Sequence, residues 1–376
     1  MIRIVHVITE LNVGGAETML FKLVSNMDRN KFDIKVVSLI DIGPIGLKIK
    51  EIGVPVIALG MKRGFFNPIM LFKLIKLLKK NKTDLVQTWM YHSDFVGGLA
   101  SCFAGNIPVV WNIRHSNLDL KFNKISTICI AKICSMLSSW LPQKIICCSY
   151  ASKSVHSCLG YDDSKMVVIP NGFDTDTFCP NENARIKMRE ELNLANDTYL
   201  LGLVGRYDTQ KDHQNFFNAV GLLHGKYPEV NFVLCGDGIT NDNQFLNKLI
   251  DKEGVRSVTH LLGRRDDMPL LQASFDVAVS SSCGEGFSNA LGEAMACNVP
   301  CVVTDVGDSA IIVGDTGFVV PSRDSQTLAK ALEKMIETRK DRKRNISTIR
   351  QRIVENFSLG KIVCSYQTLY RNLIKY

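Results

Sequence analysis

The chain has 376 residues, 46% of them hydrophobic, with a mean hydropathy of +0.06 and a formal net charge of +8. That length exceeds what one hydrophobic core usually organises, so two domains are expected. No apolar run reaches the roughly 18 residues of a membrane-spanning helix, and the nearest, 125–141, is interrupted by Lys132 and several serines.

The first residues, Met1–Ile8, read as a short buried strand with no cleavage site after it, so no secretory signal is expected. Runs rich in Val and Ile recur at Ile2–Ile8, Phe32–Ile40, Val54–Leu59, Leu85–Trp89, Val109–Ile113, Ile145–Cys148 and Val167–Ile169. A second series follows at Leu200–Val204, Asn231–Cys235, Val258–Leu262, Asp276–Ser280, Cys301–Thr304 and Gly317–Val320. Longer segments of helical periodicity separate them. This alternation predicts two doubly wound α/β domains with parallel sheets. The turn-rich stretch Pro170–Pro180 marks the boundary between them. An amphipathic helix is expected over Ser358–Tyr376.

The charge is unevenly placed. Residues 1–180 hold 21 Lys and Arg against 13 Asp and Glu, whereas 181–376 hold 24 of each. The N-terminal half therefore suits an anionic partner, a phospholipid surface or a lipid diphosphate ahead of nucleic acid. Within it, Leu71, Leu74, Ile75 and Leu78 follow helical spacing, and Lys73, Lys76 and Lys80 lie on another face. Pro68–Asn81, flanked by Phe65 and Phe66, is thus a candidate interfacial helix, or equally a domain helix with its lysines in water. The twelve cysteines show no metal-ligand spacing and no C-x-x-C. Several, including Cys129, Cys134, Cys147 and Cys148, sit in apolar runs and are expected to be buried thiols of a reducing compartment.

The densest chemistry lies in Ser282–Pro300, where Glu285 and Glu293 stand eight residues apart around a glycine-rich loop and a helix start. Eight helical residues span roughly 12 Å, about the reach from a sugar across a diphosphate to a ribose. Between the acids, Gly286 and the backbone N–H groups of Phe287, Ser288 and Asn289 suit a phosphate. After the first strand, Gly14 and Gly15 let the backbone approach a ligand at a helix N-terminus, and no nicotinamide-type GxGxxG is present. Gly205 opens a strand-end loop carrying two cations, Arg206 and Lys211, which suit a departing diphosphate. His115 and Arg114 follow the fifth predicted strand. Asp174-Thr-Asp176 has the form of a metal-binding Asp-x-Asp but sits in the interdomain connection, so no metal is expected there.

The Glu-x7-Glu segment resembles the donor site of retaining glycosyltransferases of the GT-B fold, specifically family 4. That resemblance implies two Rossmann-like domains facing across a cleft: an acceptor domain at 1–175, a nucleotide-sugar donor domain at 176–357, and a helix at 358–376 crossing back. It implies that Glu285 meets donor-sugar hydroxyls and Glu293 the ribose, that Gly14 and Gly15 lie over the diphosphate, and that Arg206 and Lys211 clamp it. His115 would stand near the donor sugar. Arg114 beside it suits an acceptor phosphate or a surface ion pair. Gly236 and Gly238 match a glycine turn beside the nucleotide, with Ile239 replacing the usual Pro. Arg264 and Arg265, after Gly263, flank the base edge or are solvated. Asn298 stands where the family commonly has Gly, and Asn tolerates the same left-handed conformation.

The resemblance extends to bacterial polysaccharide enzymes. It implies a hexose or N-acetylhexosamine donor, UDP-linked (UDP-GalNAc among the leading ones), and an undecaprenyl-diphosphate-linked acceptor in O-antigen or capsule assembly. No cofactor and no nucleic acid are expected, and the implied location is the cytoplasmic face of the inner membrane. Two other readings stay open: a nucleotide-sugar epimerase of the same fold, and a non-catalytic membrane-associated binding protein.

Overall fold

The computed structural model describes residues 1–62, 67–119, 123–338 and 346–374. Phe65 and Phe66 lie outside the described residues. The chain divides into two compact units: Met1–Gly172 with the returning helix Leu359–Ile374, and Phe173–Ser358.

In the first unit seven strands pair in parallel: β1 (Ile2–Ile8), β2 (Phe32–Ser38), β3 (Val56–Ala58), β4 (Leu85–Trp89), β5 (Val109–Ile113), β6 (Lys144–Cys147) and β7 (Met166–Val168). Their order is β3-β2-β1-β4-β5-β6-β7. Strands covered on both faces need continuous apolar runs, and β4 and β5, buried throughout, show this, whereas β2 alternates apolar residues with half-buried Asp33 and Lys35. Alternate residues of β1 separate two cores. Ile4 and Ile8 pack with Leu20, Ile49, Ile362 and Tyr366, so the helices Gly15–Asn26, Gly43–Glu51 and Leu359–Ile374 cover that face. Val5 and Val7 pack with Leu74, Leu78, Val96, Ala100, Ala131 and Cys134, so Pro68–Lys80, Tyr91–Phe103 and Ile125–Leu137 cover the other. Gly172 lets the returning chain cross closely, since a Cβ there would stand 2.9 Å from the Leu359 Cα.

The second unit has six parallel strands, β8 (Leu200–Val204), β9 (Asn231–Cys235), β10 (Thr259–Leu261), β11 (Val277–Ser280), β12 (Cys301–Thr304) and β13 (Phe318–Val320), in the order β10-β9-β8-β11-β12-β13. All thirteen predicted strands are present, displaced by a residue or two at their ends. Asp276 precedes β11; its carboxylate accepts from the Leu200 N–H at 2.8 Å and pairs with the fully buried Arg189 at 2.7 Å.

One open reading is decided and one expectation is corrected. The apolar stripe of Pro68–Lys80 packs as that of a domain helix: Leu74 and Leu78 are fully buried, Leu71 and Ile75 pack against the same core, and Lys73, Lys76 and Lys80 are exposed. A lysine-flanked apolar stripe has the same periodicity whether it meets lipid or a sheet. Cys129 is exposed, as are Cys102, Cys158 and Cys364, whereas Cys134, Cys147 and Cys148 are buried. The run around Cys129 is apolar, but its helix turns only one face to the sheet.

Candidate functional site

In each sheet the strand order reverses direction at one point, between β1 and β4 and between β8 and β11. Loops leaving the carboxyl ends of the strands diverge there and leave room for a ligand. The sequence-predicted residues lie on those edges.

In the second unit the loops after β8 and β11 are tied together. The Cys283 N–H donates to the Gln210 carbonyl at 2.8 Å, and the Ser281 hydroxyl donates to the Lys211 carbonyl at 2.9 Å. Lys211 closes a short 3-10 turn, Thr209–Lys211, and Asp212 then takes a left-handed φ of 48° and caps the helix His213–His224. This geometry turns the Lys211 ammonium onto the Glu285 carboxylate, an ion pair across 74 positions of sequence. The Ser282 hydroxyl donates to the same Glu285 oxygen at 2.8 Å, and Thr304 holds the Ser282 carbonyl at 2.6 Å. Arg206 stays largely exposed and pairs with Asp208 at 3.1 Å. Of the two predicted cations, only Lys211 is drawn inward.

The helix carrying Glu293 runs over Asn289–Ala296, with Ser288 as N-cap. Its first N–H groups therefore belong to Asn289, Ala290 and Leu291, two residues later than the sequence suggests. Ser288 makes no side-chain cap bond. The Phe287 ring is buried and stacks on Phe173 at 6.0 Å, so only its backbone faces the loop. Asn298 ends the next turn at φ 66°, the left-handed conformation expected of it.

The glycines play different parts. A Cβ on Gly236 would stand 2.2 Å from the Gly205 carbonyl oxygen, so Gly236 serves the packing of the β8 and β9 loops. Gly238 has φ +73°, beside the Tyr207 side chain, and a Cβ on Gly205 would touch the Lys211 stem at 3.3 Å. Sequence reasoning passed over Gly307, whose φ is +57° and whose added Cβ would stand 2.3 Å from the Glu285 carbonyl oxygen. Its only local signal is a lone Gly three residues after a strand run. Asp174 turns out to be a turn residue: it accepts from the N–H groups of Asp176 and Thr177 and from the Thr177 hydroxyl. Among the described residues, no three His, Cys, Asp or Glu side chains cluster as a metal site.

In the first unit Gly14 is the extended N-cap of the helix Gly15–Asn26, and Glu17 folds back toward it. Burial, with Glu10 nearby, holds the Glu17 carboxyl above its ordinary pKa. A Cβ on Gly15 would meet no atom of the described residues within 4 Å beyond its chain neighbours and its own helix backbone. Gly15→Ala is therefore expected to leave the melting temperature unchanged, whereas Gly236→Ala lowers it. If a diphosphate lies over Gly15, the added methyl also raises the donor KM about tenfold. A wild-type donor KM in Gly15→Ala would remove Gly15 from the site.

Arg114 and His115 leave the end of β5. The Arg114 Nη1 donates to the Tyr366 hydroxyl at 3.2 Å, and its guanidinium lies 5.7 Å over the Trp89 ring. Asn112 donates to the same hydroxyl at 3.1 Å. The returning helix thus fixes Arg114, while its Nη2 is buried with no hydrogen-bond partner among the described residues. His115 is held through its carbonyl, which accepts from the Ser152 hydroxyl at 2.8 Å, and its Nδ1 also lacks a partner. Burial lowers its pKa, which favours a neutral ring able both to donate and to accept.

Residues 13–177 match the family model Glycosyltransferase Family 4, and residues 198–338 match Glycosyl transferases group 1. The UDP-Gal:alpha-D-GlcNAc-diphosphoundecaprenol alpha-1,3-galactosyltransferase of Escherichia coli is 29% identical over 81% of this chain and 79% of its own. The N,N'-diacetylbacillosaminyl-diphospho-undecaprenol alpha-1,3-N-acetylgalactosaminyltransferase of Campylobacter jejuni is 24% identical over 87% and 88%. Among solved structures, Anabaena Alr3699/HepE in complex with UDP superposes with a TM-score of 0.87 at 22% identity, over 99% of this chain and 100% of that one. These likenesses favour neither an epimerase nor a non-catalytic binder: the chain belongs to glycosyltransferase family 4, has the GT-B fold of two parallel-sheet α/β domains, and is a glycosyltransferase.

Proposed function

We propose that the protein is a retaining, metal-independent transferase that moves a hexose or N-acetylhexosamine from a UDP-sugar to an undecaprenyl-diphosphate-linked sugar in surface polysaccharide assembly. It would act at the cytoplasmic face of the inner membrane. The observation that carries this reading is the joining of Lys211 and Glu285 at the switch point between β8 and β11. One cation and one acid in contact can serve neighbouring parts of a sugar diphosphate. The two bacterial relatives, whose names specify diphosphoundecaprenol-linked acceptors, align with most of this chain and support the acceptor class.

In this reading Glu285 and His115 orient the hexose and Glu293 the ribose. The loop at Gly14–Gly15 and the N–H groups from Gly286 to Asn289 approach the diphosphate. Arg206 and Lys211 stabilise the charge that grows on it as the glycosidic bond breaks. The acceptor hydroxyl attacks from the face the diphosphate leaves. Its proton passes to a leaving phosphate oxygen, so the anomeric configuration is kept without a protein nucleophile. Arg114 meets an acceptor phosphate.

The test offers purified protein a polyprenyl-diphosphate N-acetylglucosamine and a panel of UDP-, GDP- and ADP-sugars with EDTA present. Product mass and anomeric configuration are read. One sugar added from a UDP donor with retained configuration is expected. Inverted product, a strict divalent-metal requirement, or transfer only to acceptors lacking a lipid diphosphate would each overturn the corresponding part.

A further inference from the structure

The helix Ile125–Leu137 covers the first sheet with one side only. Ala131 and Cys134 are buried in the core, and Ile125, Cys129, Ile133 and Met136 are exposed. The turn that follows, with the Trp140 N–H on the Leu137 carbonyl at 3.0 Å, adds Trp140. Positions 125, 129, 133, 136 and 140 recur at helical spacing, so they form a single stripe. Trp140 is 83% exposed, and Ile125 and Met136 are each 71% exposed. A Trp, a Met and two Ile left together in water mark a contact surface. At 13 residues the helix is far too short to cross a bilayer.

Charge identifies what covers it. From Asp119 to Asp162 the sequence contains five lysines and no acid between the two, and Lys124 and Lys132 are exposed beside the stripe. The helix Tyr91–Phe103 lies next to it and also packs on Pro68–Lys80. That third helix exposes Lys73, Lys76, Lys79 and Lys80 together with Ile69 and Phe72. From Glu51 to Asp84 there are seven basic residues and no acid between them. A layer of exposed Trp, Ile, Met and Phe set among lysines, with acids excluded from both stretches, matches an anionic interface: the apolar groups enter the headgroup boundary and the lysines meet phosphate.

We propose that the outer face of Ile125–Leu137 with Trp140 docks this protein on an anionic lipid bilayer, with the Pro68–Lys80 lysines as its electrostatic flank. The inference locates the membrane partner of the function proposed above, and its test needs neither donor nor acceptor. Trp89 and Trp111 are fully buried, so a change in tryptophan emission on docking reports Trp140. Phosphatidylglycerol-containing vesicles are expected to shift the emission to the blue and to co-sediment the protein, and phosphatidylcholine vesicles alone are not. Trp140→Ser with Met136→Ser is expected to lower vesicle partitioning roughly tenfold or more, while Trp140→Phe keeps most of it. The melting temperature and far-UV circular dichroism of these variants should stay at the wild-type values, which shows that they are folded.

No blue shift with anionic vesicles overturns the proposal. So does unaltered partitioning in the Ser variant with loss in Phe72→Ser, which would give docking to the other helix. A concentration-dependent dimer abolished by Trp140→Ser, without vesicle binding, would assign the face to a second copy and overturn it as well. Vesicle binding without any sugar transfer leaves the docking face intact and removes the acceptor reading instead.

Discussion

Replacing Lys211 with alanine is expected to lower kcat by about 10²–10³ and to change donor affinity less than tenfold. The ammonium pairs with Glu285 and is only 24% exposed, so in the proposed reading it acts from a partly dehydrated position. A sugar diphosphate already carries charge when bound and gains more as the glycosidic bond breaks. A fixed cation therefore favours the transition state over the bound donor. Removal also leaves Glu285 without its cation, although the Ser282 hydroxyl still donates to it. The two side chains touch, so their substitutions should not be additive: Lys211→Ala in a Glu285→Gln background is expected to cost much less than in the wild type. Steady-state kinetics with donor binding measured separately checks both statements. Wild-type turnover in Lys211→Ala removes the residue from the mechanism, and strict additivity removes the coupling.

The fold was legible because strands buried on both faces cannot alternate polar and apolar residues. Most appear as short apolar runs rich in Val and Ile; β2, at Phe32–Ser38, alternates apolar with charged residues, and β10 was read from its flanking apolar residues. The site was legible where its chemistry is local, as in the acids and glycines of Ser282–Pro300 and the cations of the Gly205–Lys211 loop. Three features were hidden, the first two because they depend on contacts distant in sequence. The pairing of Lys211 with Glu285 exists only because β8 and β11 are neighbours in the sheet. The exposure of Cys129 and the burial of Leu74 depend on which side of a helix meets the sheet, and periodicity does not state it. The start of the Glu293 helix at Asn289 was misjudged because Ser288 caps it through backbone conformation without a side-chain bond.

Gly307→Ala is expected to lower kcat/KM about a hundredfold although residue 307 bears no chemistry. Its φ of +57° strains any residue with a Cβ, and that Cβ would stand 2.3 Å from the Glu285 carbonyl oxygen and 2.8 Å from that of Gly286. Neither neighbour is a side-chain end that can rotate aside. The peptide between Glu285 and Gly286 has to move, and with it the carboxylate that Lys211 and Ser282 hold. Displacement of a positioning group by about 1 Å is enough for a loss of that size. A general loss of stability would lower activity too, so the comparison is Gly254→Ala. Gly254 has φ +68° and open space around its missing Cβ. It carries the same backbone strain, about 1 kcal/mol, and is expected to keep wild-type kcat/KM. Both variants are measured below their melting temperatures, and the ratio of their kcat/KM values isolates the contact. Equal activity in the two would mean that Gly307 shapes a turn without positioning Glu285. A selective loss in Gly307→Ala would mean that the loop after β12 sets the catalytic geometry of the loop after β11.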